Sequence, residues 1–204
     1  MRVKFIVGID EVGRGPIAGP LCVGACAVER TRLTDFWRMF GGARESKQLT
    51  PDKRERWRAV LHDGEERGVV RLALAFVGHE TIDAKGMAHA LRLGVARALQ
   101  KLRITPVECR VLLDGGLKAP ASFLNQETII KGDERELTIA LASIAAKVER
   151  DSRMTHFARC FPEYGFELHK GYGTRAHYAA IAAYGPSPIH RLSFVHTHKD
   201  LPDV

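Results

Sequence analysis

The stretch Val3-Lys4-Phe5-Ile6-Val7-Gly8-Ile9-Asp10-Glu11-Val12-Gly13-Arg14-Gly15-Pro16 decides how the chain is read. Its first half is an apolar, β-branched run of strand composition, its second half a glycine-rich turn, and two acids stand where one becomes the other. A second apolar stretch, Leu21–Val28, follows at once, so the pair reads as antiparallel strands. Adjacent strand side chains point to opposite faces, so Asp10 and Glu11 serve one site only if the strand bends or ends there. Gly8 and Gly13 permit that, while a solvated Glu11 beside a turn-capping Asp10 is the plainer alternative.

Outward from this stretch, residues 29–48 read as polar and irregular. Thr50-Pro51 starts a helix with Trp57, Val60 and Leu61 on its apolar face. Val69–Val77 is a third strand. A short segment around Glu80–Asp83 precedes a helix carrying Met87, Leu91, Val95, Ala98 and Leu99 at helical spacing. Val111–Leu113 is a buried strand ending at Asp114, and Thr128–Ile130 another ending near Asp133. Glu136–Arg153 is helical, and beyond Cys160 one further helix spans Arg175–Tyr184. The order β-β-α-β-α-α-β-β-α indicates an α/β sheet with one antiparallel excursion. Open α/β sheets place their sites at the C-terminal ends of strands, where Asp10 and Asp114 stand.

The chain has 204 residues, room for one domain, and 45% apolar residues, enough for a substantial core. A net charge of +7 and a pI near 9.4 favour a polyanionic partner. Cys22, Cys26, Cys109 and Cys160 form no Cys-x-x-Cys pair and read as reduced thiols. No apolar run has the length of a membrane span and no signal h-region follows Met1, so the expectation is a cytoplasmic monomer.

Four carboxylates in Gly-flanked segments, Asp10, Glu11, Asp114 and Asp133, would repel unless a cation joins them. Without Cys or His among them, they suit Mg²⁺ or Mn²⁺, and in a basic chain that points to phosphodiester hydrolysis. Each has a structural alternative: Asp114-Gly115 is turn chemistry, and Asp133 with Glu136 spells a helix capping box. Gly13-Arg14-Gly15 lets backbone approach a ligand with Arg14 near a phosphate, and Ser46-Lys47 offers a similar contact. His169-Lys170-Gly171-Tyr172 puts a cation and an aromatic ring on a turn, suited to nucleic acid. Six histidines lie beyond residue 150, but with no His-x-x-x-His on a helix and no Cys pair they do not spell zinc.

In these segments the chain closely resembles ribonuclease HII, the type 2 ribonuclease H. The matching segments are Gly8–Pro16, Ser46-Lys47-Gln48-Leu49, Leu113-Asp114-Gly115, Lys131-Gly132-Asp133, Ala142–Val148 with Arg150-Asp151, His169–Tyr172, and His190-Arg191 with Ser193-Phe194. The resemblance implies an RNase H-like mixed five-stranded sheet flanked by helices, with a catalytic domain over 1–158. It implies a helical C-terminal substrate-binding portion of the same globule over 159–204. It implies cleavage of RNA in RNA–DNA hybrids and at single ribonucleotides in duplex DNA, with Asp10, Glu11, Asp114 and Asp133 holding Mn²⁺ or Mg²⁺. Gly13, Arg14 and Gly15 would read the ribose 2′-hydroxyl and Tyr172 would stack on a sugar. Ser46, Lys47, His169, Lys170 and Arg191 would complete the substrate contacts. The sequence departs from the family's usual pattern at Glu45, at Lys85-Gly86-Met87 and at Leu192, where the family usually carries a second arginine.

Overall fold

A computed structural model describes residues 3–45 and 51–195, without the side chains of residues 44, 45 and 51–55. Strand β1 (Phe5–Val12) pairs antiparallel with β2 (Leu21–Glu29), and β2 pairs antiparallel with β3 (Arg71–Val77). On its other side β1 pairs in parallel with β4 (Cys109–Asp114), which pairs in parallel with β5 (Gln126–Ile129). The order β3-β2-β1-β4-β5 is the mixed five-stranded sheet expected, with the antiparallel part first in the chain.

Helices cover both faces. Helix α1 (Leu33–Phe40) lies inside the stretch read as irregular. Arg32, Asp35 and Arg38 mask its pattern, but Phe36 and Phe40 are buried, and burial of that face overrides the polar composition. Helix α2 (Pro51–Glu66) brings Leu61 into the same cluster, with Trp57 and Val60 packed against it. Helix α3 (His79–Leu102) packs Val95, Ala98 and Leu99 on the opposite face, against Val23, Ala75 and Val77. It breaks at Gly86, where φ is +77° and ψ 163°, so Lys85-Gly86-Met87 is a kink between a short helix and a long one. One-turn helix α4 (Gly132–Arg135) precedes α5 (Leu137–Cys160), and α6 (Phe166–His169) and α7 (Arg175–Tyr184) close the chain. Tyr164, Phe166 and Ile189 form a third cluster around Met154 and Ala158 of α5. Cys22, Cys26 and Cys109 are buried and Cys160 is exposed.

Helix α5 crosses the sheet closer than ordinary side chains allow. A Cβ on Gly8 would sit 2.2 Å from the backbone carbon of Thr138, and one on Gly24 would sit 2.3 Å from the carbonyl oxygen of Ala142. Those neighbours are main chain in a long helix and cannot turn aside. Gly8→Ala is therefore expected to lower stability by about 3 kcal/mol, read as a lower urea midpoint. An unchanged midpoint would mean that the helix has room to lift.

Candidate active site

Pairing of β1 with β4 stops at Ile9–Leu113, whereas pairing with β2 continues to Val12–Cys22. From Asp10 onward β1 therefore has an open edge on the β4 side, and Asp114 stands one step beyond the last pair. Gly8 and Asp10 share the face turned to α5, and the Ser143 hydroxyl of that helix hydrogen-bonds Asp10. Asp10 is 7% exposed. Burial first, then the charges of Glu11 and Asp114, raise its carboxyl to about 7. Glu11 is also raised, by burial and by Asp114, against the opposing hydrogen bond and charge of Arg14 at 3.2 Å. The charge of Asp114 thus acts on both Asp10 and Glu11. The strand does not end between Asp10 and Glu11, since its pairing with β2 runs on to Val12.

The Asp114 Oδ1 accepts the Gly132 N–H at 2.6 Å, tying the end of β4 to the start of α4, where Asp133 is half-buried. The capping box does not form. Lys131, at φ +54°, caps α4 and Glu136 caps α5, and neither makes a side-chain cap bond. Among the described residues no three His, Cys, Asp or Glu side chains stand at the spacing of a ready-made metal site. The donor chemistry nonetheless fits a hard divalent ion: all the groups are carboxylates, and the buried Glu11 Oε2 has no hydrogen-bond partner among the described residues.

Beside the carboxylates, residues 13–20 form an irregular loop held by two fully buried guanidinium groups. Arg191 donates from Nε to Gly19 O (2.9 Å), from Nη1 to Arg14 O (3.0 Å) and from Nη2 to Gly13 O (2.7 Å). Arg150 donates to Pro20 O (2.9 Å), Lys170 O (3.0 Å) and Ala18 O (3.4 Å). Burial and the neighbouring Arg150 charge lower Arg191 to about 9, still protonated at neutral pH. Gly171 O accepts from Ile17 N and Ala18 N, so the Tyr172 turn docks on the same loop. Tyr172 is 46% exposed, and a Cβ on Gly15 would lie 3.7 Å from its Cε1.

Several expected substrate contacts change character here. Arg191, with no exposed surface, shapes the loop from inside instead of meeting a ligand. Lys170 Nζ donates to Glu167 O and Thr155 Oγ1, at 2.6 and 3.2 Å, and His169 uses both ring nitrogens on Tyr164 O and Gly171 N. Lys170 stands in this turn with φ +53°. Arg14 remains exposed, and Gly13 and Gly15 line the loop. Ser46 and Lys47 lie outside the described residues, as do His196 and His198. Leu192 is exposed, its N–H held by Asp83 at 2.8 Å. Ser143, Arg150 and His177 carry site structure that the sequence reading did not single out as such. Ser143 and Arg150 both lie in segments that match the family, though a buried Arg and an exposed one are spelled alike.

His177 is buried, and burial lowers its pKa to about 4 from an ordinary 6.5. The unfolded chain therefore binds more protons between those values, and the native state loses stability as pH falls from about 6.5 to 4. Relative to His177→Phe, the parent is expected to lose about 2 kcal/mol across that window, measured by urea unfolding at pH 7 and pH 4.5. Parallel pH profiles would contradict it.

The family model for ribonuclease HII matches residues 7–197. The ribonuclease HII of Chlamydia abortus is 43% identical over 191 residues, which cover 94% of this chain and 84% of that protein. The PCNA:RNase HII complex from Archaeoglobus fulgidus aligns over 97% of this chain and 100% of the matched chain, with a TM-score of 0.71; at 23% identity it speaks to the fold alone. Bst-RNase HIII in complex with Mn²⁺ gives a TM-score of 0.71 at 25% identity, covering 95% of this chain and 68% of that one. No helix of the described residues is long and apolar enough to cross a membrane. Sequence identity along nearly the whole chain, on a sheet that brings Asp10, Glu11 and Asp114 to one edge, shows that the chain belongs to the ribonuclease HII family and is a ribonuclease H, a nuclease of RNA–DNA hybrids.

Proposed function

We propose that the chain is a divalent-metal-dependent endonuclease. It cuts the RNA strand of RNA–DNA hybrids and also single ribonucleotides embedded in duplex DNA, leaving 5′-phosphate and 3′-hydroxyl ends. The observation that carries this reading is the pair of raised carboxyls at Asp10 and Glu11, both under the charge of Asp114, beside the loop at Gly13–Gly15. Asp10, Glu11, Asp114 and Asp133 hold the ions, with Glu11 Oε2 the buried acceptor lacking a partner of its own. A Mg²⁺ or Mn²⁺ ion held by these carboxylates would supply water activation and charge stabilisation for phosphodiester hydrolysis.

The chain's own groups do the selecting. Only the 2′-hydroxyl distinguishes the two sugars, so discrimination requires a surface that a ribose can approach closely. Gly13 and Gly15 present main chain without side chains, and the two buried arginines hold that main chain in one shape. Tyr172, from the C-terminal portion, offers an exposed ring for a sugar beside the same loop. Arg14 balances Glu11 and stands near enough to solvent to meet a phosphate.

The test is cleavage of three duplexes, an RNA–DNA hybrid, DNA with one ribonucleotide and all-DNA, with Mg²⁺ or Mn²⁺ and with excess chelator. The first two should be cut, the second at its ribonucleotide, and chelator should stop both. Equal cutting of all-DNA duplex, or cleavage that survives chelation, would overturn the reading.

A further inference from the structure

Behind Tyr172 lies a row of imidazoles whose proton positions are dictated from both ends. His177 Nδ1 is 2.9 Å from the Tyr172 carbonyl oxygen, which can only accept, so Nδ1 carries the hydrogen. At the other end His190 Nδ1 accepts the Ser187 N–H at 2.8 Å, with Ser187 Oγ 2.7 Å away. An N–H can only donate, so His190 Nδ1 is bare and its hydrogen sits on Nε2. The Ser187 carbonyl, at 3.3 Å from that nitrogen, is the weaker contact. The two Nε2 atoms are 3.0 Å apart. The tautomers required separately by Tyr172 and by Ser187 make one of these a donor and the other an acceptor, so the chain closes without conflict.

His169 is fixed in the same way, with Nε2 2.8 Å from Tyr164 O and Nδ1 accepting from Gly171 N. Its ring stacks on that of His177 at 4.2 Å between centroids and 18° between planes. His177 is the third residue of α7, whose cap Thr174 accepts its N–H, so the ring is anchored by a helix and reaches back to the turn.

We propose that His177, oriented by His190 and Ser187, is a positioning residue for Tyr172: by donating from Nδ1 to the Tyr172 carbonyl it holds the aromatic ring opposite Gly15. The inference rests on the reading of Tyr172 as the sugar-stacking residue. The array holds only while its rings are neutral. A proton added at His177 Nε2 meets the His190 N–H, and one added at His190 Nδ1 meets the Ser187 N–H. The titratable groups facing the pair are His169 around His177, and Tyr164, His169 and His79 around His190.

Two measurements on the full chain test this. Imidazole ¹⁵N NMR at pH 7 should find His177 as the Nδ1–H tautomer, with His190 and His169 as Nε2–H; an Nε2–H tautomer at His177 overturns the proposal. On duplex DNA with one ribonucleotide, His177→Phe should raise KM about tenfold, the loss of roughly one hydrogen bond, with kcat within about twofold. His177→Asn, whose amide can donate to the same carbonyl, should recover most of the loss. Tyr172→Ala in parallel separates the two claims. If it leaves KM at the parent value, the stacking reading fails. If it raises KM while a folded His177→Phe does not, the positioning role fails and stacking stands. Should His177→Phe not fold, the tautomer and the His177→Asn kinetics decide alone.

Discussion

Asp10→Asn is expected to lower kcat on an RNA–DNA hybrid about a thousandfold and, in the absence of metal, to make the protein more stable. The two effects have one origin. Asp10 is buried beside Glu11 and Asp114, and those surroundings raise its carboxyl to about 7. A folded-state pKa above the unfolded value of 3.8 means that the native state binds more protons in between. The stability this confers is complete below 3.8 and is lost as pH rises through 7. At pH 8 the parent carries a buried, repelled charge that asparagine lacks, while the amide oxygen still accepts the Glu11 N–H. The variant should gain about 2 kcal/mol there, shrinking toward pH 4, by urea unfolding in chelator. Destabilisation at pH 8, or near-parent kcat, would remove Asp10 from the role given to it.

Gly13→Ala is the second large effect, through geometry instead of charge. Gly13 has φ +95°, where a side chain is strained. Its added Cβ would lie 2.2 Å from Arg150 Nε and 2.8 Å from Cδ. Arg150 cannot step aside without releasing the carbonyls of Ala18, Pro20 and Lys170. The loop and the Tyr172 turn should both shift, with kcat/KM falling about a hundredfold and stability by about 2 kcal/mol. Gly15→Ala is the control: its Cβ meets nothing closer than Tyr172 Cε1 at 3.7 Å. It should fold like the parent, so any activity it loses reports on how closely the substrate approaches. Wild-type kinetics in Gly13→Ala would show that the loop does not need this shape.

The residues that set the fold speak through patterns that sequence carries well. Apolar runs located β2 and β3 to within two residues and the middles of β1 and β4, and Arg175–Tyr184 is the observed span of α7. The short segment before Met87 proved to be a helix ending at a glycine with positive φ. Helix α1 escaped because Asp35 and Arg38 within it, and Arg32 at its cap, break up the apolar pattern until the burial of Phe36 and Phe40 is known. The carboxylates were legible as a set: Asp114 closes β4 and Asp133 lies in the first turn of α4, whereas Asp10 and Glu11 lie within β1, which runs on to Val12. What was not legible is direction. Nothing in the spelling of Arg191, Lys170 or His169 says that their polar atoms turn inward; for Arg191 that follows from carbonyls contributed by residues 13–20, far away in sequence. His177 carried no motif at all; its importance appears only when Tyr172, His190 and Ser187 meet around it.

Calorimetric titration of Mn²⁺ into the ion-free full chain at pH 7, in two buffers of different ionisation enthalpy, tests the carboxylate site most directly. With the Asp10 carboxyl raised to about 7, ion binding at this pH displaces the proton from the molecules that carry it. Binding with measurable proton release is expected, abolished in Asp10→Asn and weakened in Asp114→Asn. Mn²⁺ binding of equal strength in the parent and both variants would contradict the account.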